Sequence, residues 1–373
     1  MDSVENGSQI SVGSVSTTTL SNEEIDILKV MQLPSGFVLP MVLKTAMELD
    51  LFELMAQKSG PDGQLSAAEI ASYLPSTNPN APVMLDRMLR FLASFSYLKC
   101  NSVPDEDGKD PTRFYSLAPI SQNFVRNDDG VSLAPLLRLP VDKVMIESWF
   151  HLKDAILEGG VPFDRAHGMN AFEYPAKDQR FNEVFNRGMY NYTRIAMKRL
   201  LQVYKGFDGV KEVVDVGGGL GATLDCIISH HPNIRGVNFD LPHVIQDAPP
   251  RPGVDHVGGD MFESVPNGEV ILMKWILHDW SDDHCRKLLR NCYNALPNAG
   301  KVILVEAVLP ETPDSEFLSK TGFMSDMNMM TINPGGKERT QTEFQALASD
   351  AGFSALKLVC PVYGDWVIEL YKN

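Results

Sequence analysis

The sequence predicts an α/β protein in which a doubly wound sheet, closed by an antiparallel hairpin, follows a mainly helical unit of winged-helix order. Three observations carry this. Five short apolar runs, at 211–216, 234–239, 254–257, 269–274 and 301–307, alternate with loops and helical stretches, as parallel strands joined by crossover helices do. Two further strands, 355–362 and 365–371, are joined by Tyr363-Gly364 alone, which makes a tight antiparallel pair. Helical periodicity dominates before the sheet, from Ser21 to Phe95 and again from about Val141 to Tyr204.

Residues 1–20 are rich in Ser and Thr and poor in large apolar side chains, so they are expected to form a mobile tail. Ser21-Asn22-Glu23-Glu24 is a capping box, and Ile25, Leu28 and Leu33 follow at helical spacing until Pro34 interrupts them. A second apolar helix covers about Pro40 to Leu49. Ser66-Ala67-Ala68-Glu69 repeats the box and opens a short helix to Leu74, and Ala81 to Phe95 forms a longer one with Leu85, Met88, Leu89 and Leu92 inward. Strand-like pieces at Tyr97–Asn101 and Arg113–Leu117 flank a polar loop from Val103 to Thr112, which completes the winged helix-turn-helix order. That order often reads DNA, but the helix that would enter the groove offers Arg87 and Arg90 beside Asp86, without a basic face for phosphates. The surplus of apolar helix faces predicts oligomerisation instead, as a homodimer. Near the C-terminus, Thr342-Glu343-Phe344-Gln345 starts a helix that Gly352 stops.

A chain of 373 residues divides most simply into a smaller unit at 21–134 and a larger one at 135–373. The net charge of -15 opposes nonspecific attraction to nucleic acid or to an anionic membrane, and favours a small, weakly charged partner. No apolar run approaches the roughly 20 residues of a membrane span, and residues 1–28 contain no Lys or Arg of the kind a signal or transit peptide carries. A cytosolic enzyme is expected. The five cysteines, at 100, 226, 285, 292 and 360, show neither CxxC pairing nor metal-spaced histidines, so reduced thiols and no metal site are expected. Cys285, Leu288, Leu289, Cys292, Tyr293 and Leu296 share one helical face, which makes two of the thiols core residues.

The chemistry begins where Val213-Val214-Asp215-Val216 runs into Gly217-Gly218-Gly219-Leu220-Gly221. Glycines let the chain turn sharply while its amides approach a ligand, and the helix from about Ala222 to Ser229 aims its N-terminal dipole at the same place. Gly217, Gly219 and Ala222 also satisfy the dinucleotide pattern, with Asp240 near the position of a ribose-binding acid, so an NAD-linked dehydrogenase competes at this point. The residues ending each strand are polar: Asp215, Asp240, Asp260 just after the third, Lys274 and Glu306. Any one alone reads as a solvated strand end; five in register suggest a ligand crevice. A cofactor with a methionine carboxylate, a ribose diol and an adenine would use the glycine turn, Asp240, and the Asp260-Met261 pair in that order. The closing hairpin favours such a cofactor, S-adenosylmethionine, over NAD.

Past the fourth strand comes Trp275-Ile276-Leu277-His278-Asp279-Trp280. A lone histidine is ordinarily structural, but Glu306 ends the adjacent strand, and Glu338 lies in a loop able to fold back. Two carboxylates on one imidazole would fix its tautomer and aim it at a substrate hydroxyl. A phenol of pKa about 10 is protonated at neutral pH and needs such a base before its oxygen can attack a methyl group. For the acceptor, Phe181, Phe185, Met189 and Tyr192 recur at spacings of 4, 4 and 3, an aromatic and methionine stripe that also suits a core. Met324, Met327, Met329 and Met330, with Asn328 and Asn333, form a second soft cluster able to clamp a flat ring.

From about residue 22 onward the chain resembles plant small-molecule O-methyltransferases of the caffeic acid type. The resemblance lies in Glu147-Ser148-Trp149, in Gly168-Met169 with Ala171-Phe172-Glu173-Tyr174, in the Val214 to Gly219 turn, and in Asn238-Phe239-Asp240-Leu241-Pro242-His243-Val244. It continues in Gly258-Gly259-Asp260-Met261-Phe262, in Lys274-Trp275 with His278-Asp279-Trp280-Ser281, and in Asn333-Pro334-Gly335-Gly336-Lys337-Glu338-Arg339-Thr340. The resemblance implies a Rossmann-like methyltransferase domain behind a winged-helix dimerisation domain, and a homodimer whose N-terminal domain reaches the partner's active site. It implies His278 as catalytic base, flanked by Glu306 and Glu338, and no metal. It places Gly217, Asp240, Leu241, Asp260, Met261 and Lys274 around S-adenosylmethionine, with Lys274 near the adenine side. The expected acceptor pocket contains Phe181, Phe185, Met189, Tyr192, Asp279, Asn328, Met329 and Asn333. Three departures concern the acceptor: Leu139-Pro140-Val141 stands where these enzymes carry Met-Asn, Tyr192 where they carry His, and Asn328 where they carry an aliphatic residue. Pro140 cannot make asparagine's side-chain hydrogen bonds, so the expected acceptor is a related phenol such as a flavonoid, stilbene, coumarin or alkaloid catechol. N-methylation of an aromatic amine is the neighbouring alternative.

Overall fold

A computed structural model describes residues 20–59, 63–104 and 111–372. The expected tail at 1–20 lies outside them save for Leu20, as does most of the loop after Val103. Ser21 caps α1 (Asn22–Gln32) through its box with Glu24, and α2 (Val38–Glu48) follows. Periodicity gives no sign of α3 (Leu51–Lys58), whose 8 residues are too few for a pattern. It starts at Asp50, where a left-handed φ of 49° turns a corner that leaves no gap between two apolar faces. Then come β1 (Leu65–Ser66), α4 (Ala67–Tyr73) capped by Ser66, α5 (Ala81–Ser94), β2 (Leu98–Val103) and β3 (Thr112–Leu117), with the wing ordered β1-β3-β2. Leu85, Leu89 and Leu92 of α5 bury against Met47, Phe52, Met55 and Ile70, each worth roughly 1.5–3 kcal/mol. Asp86 is committed to the wing, accepting from the buried Tyr115 hydroxyl at 2.6 Å and from Arg113 at 3.1 Å. In contrast, α1 has no buried residue, and Ile27, Leu28, Val30, Met31, Leu33 and Phe37 stand exposed on and just after it.

Short helices α6 (Ala134–Arg138), α7 (Lys143–Trp149), α8 (Leu152–Glu158), α9 (Pro162–His167) and α10 (Tyr174–Lys177) lead into the 25-residue α11 (Gln179–Val203). The sheet then alternates as expected: β4 (Glu212–Val216), α12 (Ala222–His230), β5 (Arg235–Asp240), α13 (Pro242–Gln246), β6 (Val254–Gly258), β7 (Val270–Lys274), α14 (Asp282–Ala295), β8 (Lys301–Glu306) and β9 (Val308–Leu309). It finishes with α15 (Phe317–Ile332), β10 (Arg339–Thr340), α16 (Gln341–Ala351), β11 (Ala355–Val362) and β12 (Asp365–Tyr371). Helix α16 begins one residue before the expected Thr342, because the Thr340 hydroxyl accepts from Glu343 N and Glu343 returns the bond.

The main sheet runs β11-β12-β8-β7-β4-β5-β6. β6, β5, β4, β7 and β8 are parallel, and β12 is antiparallel to both neighbours, so the hairpin inserts its second strand rather than adding both at the edge. Its turn puts Tyr363 at φ 56°, the left-handed geometry a two-residue hairpin needs. On one face α14 and α16 pack Leu288, Leu289, Phe344 and Leu347, with Cys285 and Cys292 fully buried among them; on the other, α11 and α12 pack Met197, Leu200, Leu224 and Ile227. Strand order reverses between β4 and β7, which opens a crevice at their carboxyl ends. Among the described residues no single helix is long and apolar enough to cross a membrane.

Candidate active site

One half of the crevice is made of backbone. Gly217, Gly219 and Gly221 take φ values of 72°, 56° and 79°, and a Cβ at Gly217 would lie 2.3 Å from Ile276 Cδ1. Only glycine fits there. Asp240, at the end of β5, accepts from Gly219 N at 2.8 Å on one carboxylate oxygen and from Leu241 N at 2.7 Å on the other. Each oxygen keeps a lone pair for a diol. Asn238 holds Gly219 O at 2.8 Å from below. Beneath the turn, Asp215 Oδ2 and Asn238 Oδ1 are buried without a hydrogen-bond partner, and burial pushes the Asp215 carboxyl up to about 7. Asp260 is exposed and its Oδ1 accepts from Phe262 N at 2.8 Å, which shapes the turn that carries half-buried Met261. Leu241 stands 42% exposed at the mouth. The Lys274 ammonium, ending β7, lies 4.9 Å from the Trp275 ring centre, and burial lowers its pKa against the pull of Asp365, Asp215 and Glu306.

The other half is carried by a short 3₁₀ turn, Leu277–Asp279, directly after β7. Trp275 turns the chain with a left-handed φ of 58°, its N bonded to Val305 O at 3.0 Å. Glu306 Oε1 then accepts from Ile276 N at 2.9 Å and Leu277 N at 2.8 Å, so one strand-end carboxylate anchors the turn by its amides. From the opposite side the fully buried Arg339 guanidinium donates to Leu277 O at 2.7 Å, to Trp280 O at 2.8 Å and to Asp282 Oδ1 at 2.9 and 3.0 Å. Lys337 N donates to His278 O at 2.9 Å.

Held this way, His278 is buried with Nδ1 2.9 Å from Glu338 Oε1 and 3.9 Å from Glu306 Oε2. Its Nε2 faces the other way, 3.6 Å from Asp279 Oδ1. Burial alone would depress the imidazole's pKa; the charges of Asp279 and Glu306 and the bond to Glu338 outweigh it and raise it to about 10. Burial likewise pushes Glu306 up to about 7 and Asp279 up to about 6. Asn333, at the end of α15, donates to Asp279 Oδ1 at 2.6 Å and sits 3.7 Å from Met329 Sδ. Glu306 Oε2, which lies 3.9 Å from His278 Nδ1, Glu338 Oε2 and Asn333 Oδ1 are all buried with no hydrogen-bond partner.

The α11 stripe is divided between environments. Phe181 is buried with Leu139, Val144 and Phe163 and meets Tyr174 edge-on at 5.8 Å, whereas Phe185 is 37% exposed and Met189 half-buried. Tyr192 reaches the site: its ring stacks on Trp275 at 4.4 Å, and its hydroxyl donates to Asp365 Oδ2 at 2.8 Å. The Trp275 ring lies 5.9 Å from His278. Asn328 and Met329 are half-buried on α15, and Pro140 is exposed. The structure thus gathers His278, Glu306, Glu338, Asp279, Asn333 and Tyr192, with Gly217, Asp240 and Lys274 along the crevice. Arg339, Asp365 and Ser325, which touches Glu338, are site residues that the sequence reading does not single out. Arg339 lies in a polar loop and Asp365 just after a hairpin turn, where charged residues are ordinary, so local pattern gives no sign of their roles.

A parallel sheet ended by an inserted antiparallel strand, a glycine turn at its switch point and an acid closing the next strand define an S-adenosylmethionine-dependent methyltransferase. Comparison with known proteins specifies it further. The O-methyltransferase domain model matches residues 149–354, and the O-methyltransferase dimerisation domain model matches residues 31–127. A caffeic acid 3-O-methyltransferase from Catharanthus roseus is 58% identical over 350 residues, 94% of this chain and 96% of that protein. An esculetin O-methyltransferase from Kitagawia praeruptora is 57% identical over 350 residues, with the same 94% and 96% coverage. Among solved structures, human N-acetylserotonin methyltransferase in complex with S-adenosylmethionine shares the fold, with a TM-score of 0.80 at 23% identity over 95% of this chain and 99% of that one. The chain belongs to the plant O-methyltransferases of the caffeic acid type.

Proposed function

We propose that this enzyme methylates the hydroxyl of a flat phenolic acceptor, with His278 as the general base. The observation that carries the reading is the imidazole's asymmetry: Nδ1 is bonded to Glu338 at 2.9 Å, which leaves Nε2 to take a proton from the acceptor. The carboxylates around the imidazole raise its affinity for a proton, so its neutral form is a stronger base toward a phenol than an isolated imidazole is. Glu338 and Glu306 balance the imidazolium that results, and Glu306 also holds its turn in place. Asp279, steadied by Asn333, supplies an acceptor for a neighbouring hydroxyl of a catechol. The residues fit the cofactor: the glycine turn would receive its methionine end, Asp240 its ribose diol, and Asp260 with Met261 its adenine, with Leu241 and Lys274 bordering the site. Bound there, S-adenosylmethionine supplies a methyl group already activated by a sulfonium. The chain's remaining task is to align the acceptor oxygen and exclude water.

We assign the acceptor wall to Tyr192 with Asn328, Met329 and Asn333 of the α15 end; of the α11 stripe, Phe181 is instead packed with Leu139, Val144 and Phe163, Phe185 is exposed, and Met189 borders that same cluster. Exposed Pro140 offers no side-chain donor, and the Tyr192 hydroxyl is already given to Asp365, so this wall is less polar than asparagine and histidine would make it. That favours a bulkier phenol, of the flavonoid, stilbene, coumarin or alkaloid catechol kind, over caffeic acid. The exposed apolar residues of α1, beside a dimerisation-domain match at 31–127, favour a homodimer; the charge of -15 favours no nucleic-acid or membrane partner and a cytosolic setting, with the domains divided near 134. Catalysis needs no metal; because His278, Glu306 and Glu338 bring ligand-type atoms within 4.8 Å of one another, a chelator is the direct check, and it should leave turnover unchanged. The deciding experiment incubates labelled S-adenosylmethionine with a mixed phenol library and identifies the product. A methyl ether on a phenol that disappears with His278→Gln supports the reading. A methylated amine that survives His278→Gln replaces it with N-methylation, and preference for caffeic acid over every bulkier phenol overturns the acceptor assignment.

A further inference from the structure

We infer that Ser325 is a positioning residue for the base: its hydroxyl shares one oxygen of Glu338 with the imidazole, so α15 sets how much of that carboxylate His278 receives. The inference rests on His278 acting as base. Ser325 Oγ donates to Glu338 Oε1 at 2.6 Å, the same oxygen that lies 2.9 Å from His278 Nδ1. The second oxygen, Oε2, is buried and has no partner, so both donors crowd onto one atom while its twin is left bare. Glu338 belongs to no helix or strand; it lies between α15 and β10, and its place depends on what grips it. The grip comes from two successive residues of α15. Asp326 Oδ1 accepts the Glu338 backbone N–H at 3.0 Å while Ser325 takes the side chain. Ser325 is half-buried on the face of α15 that turns toward Glu338.

The chemical consequence follows from counting donors. An oxygen that accepts from a hydroxyl has less electron density to give an imidazole N–H, so the hydroxyl weakens the ion pair that forms when His278 takes a proton. Without the hydroxyl, Oε1 would serve His278 alone, and the imidazolium would hold its proton more tightly. The other charges around the pair are Asp279 on its own turn, Glu306 from β8, Asp365 from β12, Lys274 from β7, and Asp326 with Lys337 and Glu343 behind Glu338. Replacing Ser325 alters none of them.

The test is the pH dependence of kcat/KM with one phenolic acceptor for the wild type, Ser325→Ala and Ser325→Thr, with S-adenosylhomocysteine binding measured alongside. Ser325→Ala should bind S-adenosylhomocysteine normally while its acid limb moves to higher pH by about half a unit to one unit, the size of one hydrogen bond's effect on a titration. Ser325→Thr, which keeps the hydroxyl, should restore the wild-type limb. A limb unmoved in Ser325→Ala overturns the inference, since a merely structural serine would lower rate or stability without shifting the profile. Should Ser325→Ala fail to bind S-adenosylhomocysteine, Ser325→Val against Ser325→Thr makes the same comparison at constant shape, and identical profiles for that pair overturn it equally. His278→Gln separates this inference from the reading beneath it. An active His278→Gln enzyme removes the base itself, whereas an inactive one beside an unshifted Ser325→Ala removes only the serine's role.

Discussion

The two halves of the crevice are built by different means. The half proposed to hold the cofactor is backbone and strand ends: glycines at 217, 219 and 221, and an aspartate bonded to two neighbouring amides within 2.8 Å. The half proposed to take the acceptor is side chains brought from α11, α15, β8, β12 and the loop at 338, with a single 3₁₀ turn as their meeting point. The first is written in contiguous residues and changes little if one helix shifts. The second depends on several distant elements arriving together, which is where enzymes of one reaction class can diverge in what they methylate.

Substitutions should therefore sort into two groups with separate readouts. The largest effect is expected at the meeting point: His278→Gln should lower kcat/KM for a phenol by about 10²–10⁴-fold, the range of one general base, while calorimetry finds S-adenosylhomocysteine bound as before. Loss of cofactor binding in that variant would erase the boundary between the halves. Next comes pH. Because the imidazole is raised above its ordinary value, the neutral form grows as pH climbs, so kcat/KM should rise by up to about tenfold per unit between pH 7 and 9. A profile already flat above about pH 6.5, an unperturbed histidine's value, would show that the surrounding carboxylates do not act on the base. On the other side of the boundary, Asp240→Ala should weaken S-adenosylhomocysteine by roughly 10–100-fold, as lost charge-assisted hydrogen bonds do, with the acceptor's KM unmoved. The smallest effect belongs to Tyr192→Phe, which should cost about 1–2 kcal/mol in urea unfolding by taking a donor from buried Asp365, with cofactor affinity unchanged.

The same contrast explains what can be read before any coordinates. The strand boundaries, the glycine turn and the polar strand ends follow from local pattern, because a parallel strand is an apolar run and its end is where the run stops. Cys285 and Cys292 are placed in the core by helical spacing alone, and both are fully buried. The acceptor side resists such reading. Nothing local announces that Arg339 will turn inward to hold two carbonyls of the His278 turn, or that Asp365, 173 residues from Tyr192, will take its hydroxyl. The stripe at 181, 185, 189 and 192 has the right period for one face, yet a long helix crosses several surroundings, so Phe181 is buried among helices while Tyr192 stacks on Trp275. Periodicity reports which residues share a face and leaves open what that face meets.

The antiparallel strand lodged between β8 and β11 also fixes an order of events during synthesis. β8 gains its neighbour only after the ribosome has passed residue 371, because Lys301 pairs with Tyr371 and Glu306 with Trp366. A nascent chain carrying the glycine turn and its aspartate therefore has one side of β8 bare and no Asp365 beneath Tyr192. Stalling or cleavage before that point should leave a species with an exposed strand edge, prone to sticking to its fellows and lacking the carboxylate that takes the Tyr192 hydroxyl.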